Sequence, residues 1–173
     1  KEIGSLDTEQ SRKAIEIPAQ KLHVSYSDEA VEKITELSKG YPFFIQQLCQ
    51  LVFDHASDQV ITLDDVNAVI PGFFQVLDNG FFKVRYERCS DADRRFIFAM
   101  AACGTLPCTI SNIAKIMKKP VGSISTARAQ LISKGIIYSV KYKELDFTVP
   151  EFSGFIQRLD EYQEWLKTEH LIK

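Results

Sequence analysis

From Thr109 to Lys143 the chain holds seven basic residues (Lys115, Lys118, Lys119, Arg128, Lys134, Lys141 and Lys143) and no acidic one. Overall there are 21 Lys and Arg against 23 Asp and Glu, a net −2, so the residues outside this run sum to −9. Such segregation has chemical use, because ammonium groups neutralise phosphates while guanidinium and carboxamide groups read base edges. Lys115, Lys118, Lys119, Lys141 and Lys143 suit phosphate oxygens. Arg128 and Gln130 suit base edges, with Ser123, Ser125 and Thr126 beside them on the exposed side of one short helix. Double-stranded DNA is the partner this pattern points to. Two other readings stay open: a basic face that is only solvated, and one that docks on an acidic protein surface.

Other chemistry lacks its residues. There is no GxxxxGK[ST] loop to cradle phosphates, and no apolar strand ending in acids that would hold magnesium. No catalytic residue is assigned, and the chain by itself is not expected to be an enzyme. His23, His55 and His170 are far apart and read as surface residues. Cys103 and Cys108 flank GTLP, but no second Cys or His pair accompanies them, so no metal site is expected. The four scattered cysteines read as reduced thiols, which points to a cytoplasmic protein. No run of about 18 apolar residues exists to cross a membrane, and no membrane partner is expected.

The elements that must position these residues are mostly helical. A first helix is expected from Asp7 to about Ile17, with Ala14, Ile15 and Leu22 as its apolar positions and Pro18 as its break. Ser27 caps a second helix with Ala30, Val31, Ile34 and Leu37 inward, and Gly40 ends it. Pro42 opens a third through Phe44, Leu48, Leu51 and Val52, and Thr62 with Asp65 starts a fourth. The stretch FFQVLDNGFFKVRYERC, Phe73 to Cys89, reads as an aromatic-rich helix between two domains. Ser90 and Asp93 cap the next helix, and Thr109 caps a short one. A further helix runs from about Ser123 to Lys134, with Ile124, Ala127, Leu131 and Ile132 inward. Two β-type segments follow, Ile136 to Tyr142 and Leu145 to Val149, and then closing helices. Helix, helix, turn, helix, hairpin is the order of a winged helix. The expected fold is mainly α: a helical domain over 1–74, a connecting helix over 75–89, and a winged-helix domain with C-terminal helices over 90–173.

The stretch ELSKGYPFFIQQLCQLVFDHA resembles the lid of STAND and archaeal-type AAA+ ATPases, in which a Gly-x-Pro motif opens a lid helix. SKGIIYSVKYKELDFTVPEFSGFIQRL is similar to the close of the winged helix that often follows such a lid, as in origin-recognition-like members. With ITLDDV and LDNGFF between them, the resemblance covers nearly the whole chain. It implies that Gly40, Tyr41 and Pro42 pack against a nucleotide base and sense what is bound. It also implies ATP or ADP with Mg as the cofactor of a longer parent, whose N-terminal ATPase domain is the lid's partner. A chain opening on lysine rather than methionine agrees with such a parent. Where many relatives place a sensor arginine, Phe43 and Phe44 stand instead. The function expected is that of a regulatory C-terminal part, with the lid following nucleotide state and the winged helix binding DNA. The rival is a protein-interaction or oligomerisation module built on Phe73, Phe74, Phe81, Phe82 and Trp165.

Overall fold

Local signals start most of the helices in this computed structural model, which describes residues 4–169 and so leaves out His170. Asp7, Ser27, Thr62, Ser90 and Thr109 each accept a backbone N–H three residues on, filling one of the vacant donors of a first turn. The chain divides into two units, Lys1–Leu77 and Asp78–Lys173.

The first unit packs helices α1 (Thr8–Gln20), α2 (Asp28–Ser38), α3 (Pro42–His55) and α4 (Leu63–Val76). Strands β1 (Ser25–Tyr26) and β2 (Val60–Ile61) pair in parallel beside them. Ile34, Phe44, Leu48, Val52, Ile61 and Phe73 are fully buried, and the Phe44 and Phe73 rings meet nearly edge-on with centroids 6.0 Å apart. Two expectations for α1 are corrected. The helix runs through Pro18 to Gln20. Proline removes only the bond to the carbonyl of Ala14, an exposed position that water can satisfy. Its buried positions are Ser11, Ile15 and Ala19, spaced by four, whereas Ala14 and Leu22 are exposed. Ile45 replaces Leu51 on the buried face of α3, and Leu37 is only half-buried on α2.

After α4 the chain makes a π-helical turn, Leu77–Phe82, and then α5 (Lys83–Glu87). Leu77 closes the first unit and is fully buried, and Phe82 and Tyr86 are buried in the second.

In the second unit α6 (Asp91–Ala101) buries every residue from Phe96 to Ala101 and packs on α7 (Ile110–Ile116), α8 (Ser125–Ser133) and α9 (Phe152–Arg158). A single 3-10 turn, Val121–Ile124, leads into α8. The last helix, α10 (Asp160–Thr168), sets Tyr162 and Trp165 against Phe98. Strands β4 (Ile137–Lys141) and β5 (Glu144–Phe147) form the expected hairpin, with β4 one residue shorter at each end than the sequence suggests and β5 starting one residue earlier and stopping two earlier. A third strand, β3 (Cys108–Thr109), pairs antiparallel with β5 and makes the order β3-β5-β4. Two residues are too few to carry a readable alternation, so β3 escapes a sequence reading. Ile132, expected inward, is 39% exposed, because α8 turns only Ala127 and Leu131 fully into the core. A mainly helical chain, with a helical bundle followed by a helix-turn-helix and a three-stranded antiparallel sheet, agrees with the bundle plus winged helix expected.

Candidate nucleic-acid interface

The acid-free run folds into α7, the turn after it, α8 and the wing formed by β4 and β5. Of its seven basic residues, two are spent inside the molecule. Lys134, which caps α8, donates to the Asp93 carboxylate at 2.5 Å. Asp93 is fully buried. Burial alone would raise its pKa, but the Lys134 ammonium and the N–H and hydroxyl of Ser90 outweigh it and hold the carboxyl below the usual range. Lys118, in left-handed backbone at φ 52°, donates to the Glu169 carbonyl at 2.9 Å and lies 3.3 Å from its carboxylate. Both acids come from far along the sequence, so the run is acid-free in sequence but not wholly so in space.

Lys115, Lys119 and Lys141 are exposed and have no ion pair among the described residues. Lys143 sits at the wing turn with φ 65°, its ammonium 4.9 Å from the centre of the Tyr142 ring. Its carbonyl accepts the N–H of Ile110 at 3.0 Å, which fastens the wing tip to the start of α7.

On α8, Thr126 and Gln130 face solvent. Ser123 and Ser125 are exposed as well, but their hydroxyls donate to the carbonyls of Pro120 at 2.8 Å and Gly122 at 2.5 Å. What these serines can offer a ligand is acceptor oxygens. Arg128 is half-buried, and its Nε is buried without a hydrogen-bond partner. Only the tip of its guanidinium is left for a ligand.

One residue that charge patterning passes over is Tyr142, 86% exposed between Lys141 and Lys143. Tyr138 and Val140, two and four positions before it, are 39% and 37% exposed. The signal was available in the alternation: in KGIIYSVKYK only Ile136 and Ile137 read as a buried pair, and the aromatic and aliphatic residues after them alternate with polar ones.

In the first unit the Gly-x-Pro motif is taken up by local structure. Lys39 and Gly40 both have positive φ, 49° and 70°, and end α2. The Gly40 carbonyl accepts from Leu6 N–H at 2.8 Å, and its own N–H donates to the Ser38 hydroxyl at 3.3 Å. A Cβ on Gly40 would lie 2.2 Å from the Leu6 carbonyl oxygen, so only glycine fits. Pro42 fills the first turn of α3, where its missing N–H costs nothing. The half-exposed side chains of Tyr41 and Pro42 fit an apolar contact with a nucleotide base, and the motif offers no cation for phosphate. Phe43 is 40% exposed.

The thiols have ordinary structural roles. Burial pushes the Cys49 and Cys89 thiols up to about 11, and the Cys103 thiol donates to the Ala99 carbonyl at 3.4 Å. No group of His, Cys, Asp or Glu among the described residues is placed to hold a metal. An open pocket of about 440 Å³ in the second unit is lined by Tyr86, Arg94 and Phe155 among others. Two of its charged walls, Arg158 and Asp78, are joined by paired bonds of 2.8 and 2.6 Å. No helix among the described residues is long and apolar enough to cross a membrane.

No curated protein matches the chain. Residues 79–156 match a family model described as a domain of unknown function, DUF8462, which falls within the second unit. Among solved structures the chain has a weak likeness to the RuvB Holliday junction branch migration motor of Thermotoga maritima, an AAA+ ATPase, and to point variants of it. Sequence identity is 16% and the TM-score 0.41, over 95% of this chain and 50% of that one. The chain thus spans about half the length of the proteins it matches, and a likeness this weak carries no argument about what it does.

Proposed function

We propose that the second unit is a DNA-binding winged helix and that the first is the nucleotide-responsive lid of a longer AAA+ or STAND-type ATPase. The observation that carries the DNA reading is the set Lys115, Lys119, Lys141 and Lys143. These are exposed cations on α7, the following turn and the wing, left over after Lys118 and Lys134 have paired with Glu169 and Asp93, and Glu144 at the start of β5 is the one acid that follows the run directly in the chain. α8 would enter the major groove with Thr126 and Gln130 toward base edges, and the lysines would hold the flanking phosphates. ATP or ADP with Mg would be held by the parent's own phosphate-binding domain, with Tyr41 and Pro42 against the base. Exchange of nucleotide would then shift the population of lid positions and so re-aim the basic face.

Fluorescence anisotropy with labelled duplex across a salt series tests the DNA reading. Binding should weaken linearly in log salt, and Lys115→Ala with Lys119→Ala should lower the slope by roughly 1.8, about 0.9 for each lost phosphate contact. Absence of binding at low salt would reject it. The lid reading is tested in the longer protein by Pro42→Ala, whose nucleotide affinity should fall; unchanged affinity and turnover would reject a sensing role. A protein-interaction module is the second reading, favoured by the exposed Tyr138 and Val140 on the outer edge of the sheet.

A further inference from the structure

The wing carries an exposed apolar row that ends in an aromatic ring at its tip. In β4 only Ile137 is buried, while Tyr138, Ser139, Val140 and Lys141 all face solvent. Tyr138 and Val140 share the face opposite Ile137. The row ends at the hairpin tip in Tyr142, at 86% the most exposed large hydrophobic side chain among the described residues. Lys143 lies over the ring at 4.9 Å, but a pair that leaves the ring so exposed adds little to stability. A protein gains nothing in its own fold by holding an aromatic ring there.

What the surroundings offer is the chemistry of a single-strand contact. Lys141 and Lys143 flank the ring, with no acid between Thr109 and Lys143. An exposed π-face with one ammonium group 4.9 Å from its centre and a second lysine next to it in the chain matches an unpaired base and the phosphates beside it. Phosphate contact alone would be served equally well by serine or threonine at the tip. An outward tyrosine has no stacked surface to meet on an intact duplex, whose bases cover one another.

Resting on the DNA reading above, we propose that Tyr142 is a base-stacking residue. The preferred ligand is then DNA in which a duplex meets an unpaired strand, with α8 on the duplex and Tyr142 on the first unpaired base. The ring's exposure makes the substitution safe for folding, since Tyr142→Ala removes a side chain that is 86% exposed.

The test uses the whole chain and two labelled DNAs of equal phosphate number. One is a duplex with a single-stranded arm and 2-aminopurine as the first unpaired base; the other is a closed duplex with none. The wild-type protein should bind the armed DNA roughly fivefold to a hundredfold more tightly, the range of one stacked base. It should also quench the 2-aminopurine. Tyr142→Phe should keep both effects and Tyr142→Ala should lose both. Lys115→Ala with Lys119→Ala should weaken both DNAs by the same factor and leave their ratio intact. Equal, salt-dependent binding of both DNAs by wild type and Tyr142→Ala overturns the stacking role while the DNA reading survives. Failure to bind either DNA at low salt overturns both.

Discussion

Gly40 shows how much one backbone position carries. Its φ of 70° lies where an L side chain is strained by about 1–2 kcal/mol, and a methyl there would meet the Leu6 carbonyl oxygen at 2.2 Å. Gly72 sits inside α4 with nothing within 4 Å of a Cβ, so its glycine only weakens the helix. The same substitution therefore has opposite signs. Gly40→Ala should lower the stability of the first unit by about 2 kcal/mol or more, while Gly72→Ala raises it by about 0.5–1 kcal/mol. Urea unfolding followed by circular dichroism checks both, and a neutral Gly40→Ala would show that the Leu6 segment does not press on the motif.

At the scale of elements, the Asp93–Lys134 pair ties the start of α6 to the end of α8. Asp93 has zero exposure, so removing its partner leaves a buried carboxylate with only Ser90 to satisfy it. Lys134→Met should cost about 3–5 kcal/mol. The lowered carboxyl pKa adds a pH signature: the group stabilises the fold above its unfolded value of about 3.9 and loses that contribution as pH falls through its lower folded value. The stability gap between wild type and Asp93→Asn should accordingly narrow below about pH 4, read from denaturant midpoints. A gap that stays constant on acidification would show that the carboxylate is not held ionised.

At the scale of the molecule, the sole tryptophan, Trp165, belongs to the second unit and packs on Phe98 at 5.7 Å and on Tyr162 at 6.0 Å. Its fluorescence therefore reports that unit. Phe82 is fully buried there, with Phe155 stacked at 5.4 Å and Phe152 at 5.8 Å. Phe82→Ala should lower the fluorescence-monitored stability by about 3–5 kcal/mol, the usual cost of emptying a buried aromatic site. An unchanged midpoint would exclude Phe82 from the core that Trp165 senses. The aromatic residues read from sequence as an interaction surface thus divide: Phe73 and Phe82 are buried, whereas Phe74, Phe81 and Trp165 are only half-buried.

By itself the sequence determined what depends on neighbours in the chain: the capped helix starts at Ser27, Thr62, Ser90 and Thr109, the proline at the head of α3, the hairpin, the run without acids and the absence of a phosphate-binding loop. These follow from propensity, capping and periodicity, which act over a few residues. Only the tertiary structure decided which of the seven basic residues remain available. Lys118 meets a residue 51 positions away and Lys134 one 41 positions away, and no local pattern encodes such pairs. The strand β3, the close approach of Leu6 to Gly40 and the exposure of Ile132 and Tyr142 belong to the same class. Each depends on how distant segments pack, because burial and charge pairing are properties of the assembled surface rather than of the residue.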